Sequence, residues 1–574
     1  MKKIGIGYEN YREFIDDNLY YVDKTLLIRD VLEKGGKVTL FTRPRRFGKT
    51  LALSMLRTFF EYGYDVQGNL INAGRYFEGK KIMQAGPEIL SMMGRFPVIC
   101  LSLKSAKQPD FRASFLKLRE DLTAELFRHK YLLVSDELIP EQKAVLLSLL
   151  TIKQEDEIVT EEDLKKEVTK YSTCLKTLSM ALATHHHQNV VVLMDEYDVP
   201  LENAWSCGFY DDMVTFIRSL FESTLKTNDF LKFAVVTGCL RISKESIFTG
   251  LNNLEISSVR GCDFEDAFGF TQDETEEMLR YYGIEHKIPE AKEWYDGYLF
   301  GKKEIYNPWS ITKYVKSIVV KKMVFPEPYW SNTSSNLIIK DLIDHAGPQT
   351  KKELDVLMNG GTIEKRIHED ITYEDIHKSD DNLWNFLFFT GYMKSVSERR
   401  VGNEIYMTMR IPNTEIKTIY ETQIREWFNT QIKETDRSEF YKAVLAGDVE
   451  KWSGYVKKLL FTSISTFDSN EFFYHGFLLS LLSGIPGYTA YSNRESGEGR
   501  PDIILYPDET EQAVILFELK TRKKLNEMTK GLEEALNQIK EKKYAEGILE
   551  EGYVRVKAYG ICFCKKTCIA AVFI

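Results

Sequence analysis

The segment Leu40-Phe-Thr-Arg-Pro-Arg-Arg-Phe-Gly-Lys-Thr50 ends in a tripeptide suited to holding a phosphate. Gly48 lets the backbone approach an anion, Lys49 has the reach for β- and γ-phosphates, and Thr50 offers a hydroxyl to magnesium. Such a loop works where it opens a helix, because main-chain N–H groups and the helix dipole favour negative charge. Arg43 stands where the usual pattern has its first glycine. Arg43, Arg45 and Arg46 form either a phosphate-contacting cluster or a solubilising surface run. Their place just ahead of Lys49 favours phosphate contact by Arg43 and Arg46.

A second run, Val190-Val-Val-Leu-Met-Asp195-Glu196, closes an apolar stretch with two carboxylates. That order suits nucleotide hydrolysis, with Asp195 in the magnesium shell and Glu196 orienting the attacking water. Thr237 ends the following apolar run, a position beside a γ-phosphate, and Arg241 would add positive charge at the transition state. The bland alternative is an α/β sheet whose strand ends in solvated acids. Both motifs in the right order imply ATP and Mg2+ as cofactors.

Near the other end stand Asp502, in Gly499-Arg-Pro-Asp502, and Phe517-Glu518-Leu-Lys520. Residues two apart on a strand share a face, so Glu518 and Lys520 project together and Asp502 can join them from a neighbouring strand. Two carboxylates with the carbonyl between them make a hard oxygen site for Mg2+ or Mn2+. The lysine would position or deprotonate water for attack on a phosphodiester. Glu471 and Glu495 are candidate further carboxylates, balanced between a supporting role and plain solvation. Gln538 and Tyr544 follow on a helix that could face the same cleft. Arg522, Lys523 and Lys524 would hold nucleic-acid phosphates.

These groups need elements to position them. Apolar, β-branched runs at 37–42, 97–103, 190–194 and 233–237, with a fifth at 254–259, read as buried parallel strands between helices such as 50–62 and 211–227. A capping box, Thr271 with Glu274, opens a mostly helical region to about residue 460, within which 383–393 and 404–410 suggest a helix and hairpin of winged-helix type. The last part alternates helix 470–482, strands near 488–493, 502–506 and 513–520, helix 527–544, and strands near 553–564 and 568–573. The expected fold class is α/β with a helical middle region. A P-loop NTPase parallel sheet with helices on both faces occupies 1–270, a helical middle 271–460, and a restriction-endonuclease-like α/β domain 461–574.

Composition is that of a globular protein of several domains, with 43% hydrophobic and 28% charged residues over 574. The formal net charge of −9 means that any nucleic-acid contact must come from a local basic surface. No signal core follows the first lysines and no stretch is long and apolar enough for a bilayer, so a cytoplasmic protein without membrane partners is expected. The scattered cysteines read as reduced thiols. Cys562, Cys564 and Cys568 lack zinc-knuckle spacing and read as buried strand residues, and His185–His187 as a solvated loop.

Tyr20-Tyr-Val-Asp-Lys-Thr25, RPRRFGKT, MDEYDVP and TGCLRISKESIFTGLNNL resemble the AAA-ATPase-like family, widespread in bacteria, in which arginine in place of the first loop glycine is usual. YHGFLLSLL, SNRESGEGRPDIILY and FELK, with Gln538 and Tyr544, resemble the PD-(D/E)XK nuclease domain that many members carry. The resemblance covers about residues 1–260 and 465–560. It implies an ATPase coupled to a metal-dependent nuclease acting on nucleic acid, with DNA the expected substrate. A nucleotide-dependent switch or scaffold, whose back domain binds nucleic acid or a partner without cutting, is the alternative. Self-association as a homo-oligomer stays open.

Overall fold

The computed structural model describes residues 1–573 apart from 64–71, 153–157, 159, 227, 242–246, 249–251, 324, 331–338, 340–346, 370–372, 374–375, 377–378, 435, 463–470 and 493–498. The chain divides into two compact units: Met1–Asn332 with Glu364–Lys417, and Thr333–Ile363 with Thr418–Ile574.

In the first unit the five apolar runs become β1 (Val38–Thr42), β2 (Val98–Ser102), β3 (Val190–Asp195), β4 (Leu231–Gly238) and β5 (Leu254–Ser257). They form one sheet in the order β2-β3-β4-β1-β5, every neighbouring pair parallel. Every residue of β1 and β3 is buried, which is why these strands read as continuous apolar runs rather than alternating ones. Parallel strands need crossovers, and helices such as Lys49–Phe60, Phe111–Arg128, Cys174–His186 and Tyr210–Phe221 supply them. All five carboxyl ends therefore point the same way. Phe41 pairs with Thr237 and Met194 with Val236, so Thr42, Asp195 and Thr237 finish close to one level.

Thr271 caps the helix Gln272–Tyr281 reciprocally with Glu274, the capping box read from the sequence. The middle region is less uniformly helical than its periodicity suggested. It holds a small sheet of β6 (Phe270–Thr271), β7 (Tyr298–Phe300) and β8 (Lys303–Tyr306), ordered β6-β8-β7. It also holds β9 (Ile363–Ile367), β10 (Lys394–Val401) and β11 (Glu404–Arg410), ordered β10-β11-β9. Helix Asp380–Phe389 precedes the β10–β11 hairpin.

Glu415 in this unit is a buried carboxyl that, among the described residues, forms no ion pair. Glu415 is 0% exposed; Ser310 Oγ lies 2.9 and 2.8 Å from its two oxygens, and the Trp330 N–H donates at 2.9 Å. Burial pushes its carboxyl up to about 8. The folded protein then holds a proton that the unfolded chain releases above about 4.5, so stability falls as pH rises from there through 8. Glu415→Gln keeps the acceptor and removes the ionisation. Its melting temperature should match wild type at pH 5 and exceed it by about 5 °C at pH 8. A parallel pair of melting curves across that range would refute the assignment.

In the second unit β12 (Tyr488–Ser492), β13 (Ile503–Pro507), β14 (Val514–Thr521), β15 (Val556–Cys564) and β16 (Thr567–Val572) form a mixed sheet in sequential order. Only β14 and β15 run parallel. Phe517, Leu519, Ile561 and Phe563 face a core with Trp452, Tyr474 and Leu478 from helices Val449–Thr462 and Glu471–Leu482. The opposite face packs helices Met528–Glu541 and Tyr544–Glu550 through Ile539, Tyr544 and Ile548 against Ile504, Leu516 and Ala558. With alternate residues on alternate faces, Glu518 and Lys520 project on this second side.

Candidate functional site

Each unit gathers one group of residues singled out from the sequence. In the first, Gly48 caps helix Lys49–Phe60 at φ +85°, and a Cβ there would meet nothing within 4 Å. Glycine is needed for that backbone rather than for space. The Lys49 ammonium is 7% exposed and donates to the carbonyls of Arg43 at 2.8 Å and Pro44 at 3.0 Å, so the loop's own oxygens hold it.

Asp195 is the hub. Thr50 Oγ1 donates to one of its oxygens at 2.5 Å, and the Thr237 hydroxyl donates to the other. Two hydroxyls from two other elements thus converge on this one carboxylate at the sheet's carboxyl edge. Glu196 follows at φ +53°, a left-handed backbone that a non-glycine residue adopts at some cost. Burial first, then Asp195, raises its carboxyl above the ordinary range, as suits a group poised to handle a water's proton.

Each of the three candidate arginines has a partner within the protein. Arg43 was expected to contact phosphate, yet its guanidinium is fully buried. It donates to Thr42 O at 3.0 Å, Ser257 O at 2.7 Å, Ser257 Oγ at 3.2 Å and Phe264 O at 3.2 Å, and lies against the rings of Phe268 and Phe300. It ties the start of the loop to the end of β5 from beneath, and its φ is not positive, so no glycine is required there. Arg46 is exposed at φ +71° with its guanidinium 4.3 Å from the Trp309 ring centroid. Arg241 ion-pairs with Glu369 at 3.4 Å, and Glu369 also takes Arg260 at 3.1 Å.

Sequence reasoning missed Asp198, although the third acid of MDEYD was a visible signal. Its buried carboxylate accepts from the Cys239 N–H at 2.7 Å and the Leu240 N–H at 3.2 Å, while the Tyr197 hydroxyl donates to Leu240 O. Together they fix the turn that carries Arg241. His185 and His186 are not a solvated loop either. They end helix Cys174–His186, bonded to Ser135 Oγ at 2.7 Å and Tyr131 OH at 2.8 Å.

In the second unit, Ile503 pairs with Phe517, which sets Asp502 beside Glu518. Asp502 Oδ2 accepts from the Leu519 N–H at 2.7 Å. Lys520 Nζ donates to Glu518 Oε1 at 3.1 Å. Glu518 is 1% exposed, and its Oε2 is buried with no hydrogen-bond partner. Burial, then the Asp502 charge, pushes the Glu518 carboxyl up to about 7, and burial raises Asp502 as well. A buried carboxylate oxygen without a donor, next to a second carboxylate, is an arrangement that a hard cation suits. The donor set fits Mg2+ or Mn2+, with Asp502, Glu518 and the Leu519 carbonyl to hold it. Among the described residues no third His, Cys, Asp or Glu completes a metal cluster.

Glu495 and the Glu471 side chain lie outside the described residues. Gln538 donates to Tyr544 OH at 3.3 Å, and burial, with smaller contributions from Glu518 and Asp502, raises the Tyr544 hydroxyl. Tyr544 thus sits within electrostatic reach of both acids. Arg522, expected on phosphate, instead ion-pairs with Glu534. His475 was missed: its Nε2 donates to Asp502 O at 2.8 Å and anchors the chain where it enters β13. Cys562, Cys564 and Cys568 are buried strand cysteines outside any disulfide, as expected.

Comparison with known proteins agrees with this division. The family model described as "Predicted AAA-ATPase" matches residues 5–248, and that of the "PD-(D/E)XK nuclease superfamily" matches 469–572. A protein of Azotobacter chroococcum mcd 1, described as an uncharacterized protein in vnfD 5'region, is 25% identical over 422 residues. The match covers 72% of this chain and 68% of that protein. No solved structure matches significantly. No helix among the described residues is long and apolar enough to cross a membrane. The chain therefore carries a predicted AAA-ATPase-like domain at residues 5–248 and, C-terminal to it, a PD-(D/E)XK nuclease superfamily domain at residues 469–572.

Proposed function

We propose that the chain is an ATP-regulated nuclease that cleaves phosphodiester bonds in nucleic acid, DNA in the first instance, in the cytoplasm. The observation that supports it most is the Glu518 carboxylate, buried with one oxygen lacking a donor, between Asp502 and Lys520. Mg2+ or Mn2+ bound there would supply Lewis-acid stabilisation of charge on the scissile phosphate. Asp502 and Glu518 hold the site's negative charge in place, each fixed by one hydrogen bond from β14. Lys520 orients the attacking water and takes up or relays its proton. Tyr544, supported by Gln538, borders the cleft.

In the front domain, Lys49 would leave the loop carbonyls for the β- and γ-phosphates of ATP. Thr50 and Asp195 would complete the Mg2+ shell, Glu196 would orient water, and Thr237 would stand at the γ-phosphate. Arg241, which ion-pairs with Glu369, would add positive charge at the γ-phosphate.

The test is a cleavage assay of purified protein on single- and double-stranded DNA and RNA, with Mg2+ or Mn2+, with and without ATP. Metal-dependent cutting that disappears in Lys520→Ala supports the reading. Equal cutting by wild type and Lys520→Ala would overturn it, and so would none by wild type under any condition.

A further inference from the structure

The turn between β15 and β16 consists of Lys565 and Lys566, with Cys564 and Thr567 paired across it. Lys565 adopts φ +53°, the left-handed backbone that two-residue hairpins demand and that asparagine and glycine meet at least cost. Turn chemistry therefore gives no reason for lysine here. The turn is nonetheless firmly held. The Tyr474 hydroxyl donates to Lys565 O at 2.9 Å, and the Tyr474 ring stacks on Phe563 at 4.5 Å and 12°.

Its location connects it to the carboxylate site. β14 and β15 run parallel with Lys520 beside Cys562 and Thr521 beside Phe563. The lysine turn starts three residues past the level of Lys520, about 10 Å along the strand direction and one strand over. Lys523 and Lys524 leave β14 at this same end, just after the Arg522 N–H donates to Phe563 O at 2.9 Å. Lys523, Lys524 and Lys565 are exposed and Lys566 partly so. Among the described residues none of the four forms an ion pair, whereas Arg522 between them is neutralised by Glu534. In a chain of net charge −9, four uncompensated ammonium groups at one sheet end are a local reversal of sign.

We propose that Lys523, Lys524, Lys565 and Lys566 form a phosphate track that holds a nucleic-acid backbone beside Asp502, Glu518 and Lys520. This rests on the nuclease reading and names how the substrate is seated. Ammonium groups on two short loops contact phosphates and carry no base information, so the track binds independently of sequence. Each phosphate neutralised adds about 0.9 to the salt slope of log affinity on duplex DNA.

The test measures binding of single- and double-stranded DNA oligonucleotides as a function of salt. The variants are Lys523→Ala/Lys524→Ala, and Lys565→Gly/Lys566→Asn, which puts glycine at the one turn position with positive φ and so removes charge without endangering the fold. The quadruple variant should lose about 3 to 4 from the duplex salt slope and roughly 10²-fold or more in affinity at low salt. Each double variant should lose about half of that slope, and Lys565→Arg/Lys566→Arg should restore it. Unchanged affinity and slope in the quadruple variant, on both forms of DNA, would overturn the track. A wild type that binds through these lysines but cuts with neither Mg2+ nor Mn2+ would keep the track and refute the nuclease reading, so the two failures are separable.

Discussion

Glu518→Gln should lower metal-dependent phosphodiester cleavage by about 10³-fold or more and at the same time raise the thermal stability of the nuclease domain measured without metal. The opposed directions follow from one fact. Glu518 is 1% exposed, its Oε2 has no hydrogen-bond donor, and the Asp502 charge stands nearby. An ionised carboxylate in that position is a cost to the apo fold and an asset only to a cation. Glutamine keeps the shape and preserves an acceptor for Lys520, while removing the charge that a divalent ion requires. A residue conserving only the fold would lose stability on substitution. A residue serving the metal should lose activity while the fold gains. The measurements are cleavage at saturating DNA and melting at pH 8 with a chelator, with ATP binding as the control for the front domain. Retained cleavage in the glutamine variant would remove the central support of the proposed function.

The central strands of both sheets were legible because burial on two faces writes an uninterrupted apolar run, and β1, β3 and β13 are buried at every residue. Lys49, Thr50 and Asp195 were legible because loop and strand end are each local. Asp502 and the Glu518–Lys520 pair were legible from period two, which needs no knowledge of the rest of the chain. What was not legible depends on distant partners. Arg43 looked like a phosphate ligand, but its acceptors Ser257 and Phe264 lie 214 and 221 residues away. The same holds for Arg241, whose partner Glu369 is 128 residues on, and for His475, which meets Asp502 27 residues later. A charged side chain advertises its type in sequence but not its counter-ion. Arg522 shows this at short range: only the helix packed against β14 brings Glu534 to it. The Lys565–Lys566 turn is the converse, a charge pair whose meaning appears only once strand register sets it level with the end of β14.

Lys49→Ala should weaken ATP binding by at least about 10²-fold, whereas Glu196→Gln should leave affinity within a few-fold and slow hydrolysis by about 10²-fold or more. The two side chains do different work at one edge. The Lys49 ammonium is held by the carbonyls of Arg43 and Pro44 at 2.8 and 3.0 Å, a neutral pair of acceptors that a triphosphate's charge would outcompete. Removing it takes a cation from the loop and leaves those carbonyls without a donor. Glu196 instead sits past the Asp195 hub on a left-handed backbone, its carboxyl raised by burial and by Asp195. Its charge repels the nucleotide's phosphates and is useful only when a water must be oriented, so glutamine should trap ATP rather than exclude it. Equilibrium binding of ATP and single-turnover hydrolysis separate the two effects. Because the trapped variant holds the nucleotide-bound state, it also decides how the domains communicate. If ATP binding alone licenses cleavage, Glu196→Gln should cut DNA at least as fast as wild type and Lys49→Ala should not cut at all. If hydrolysis is needed, both variants should be silent. Cleavage by Lys49→Ala at the wild-type rate would show that the front domain does not gate the back one.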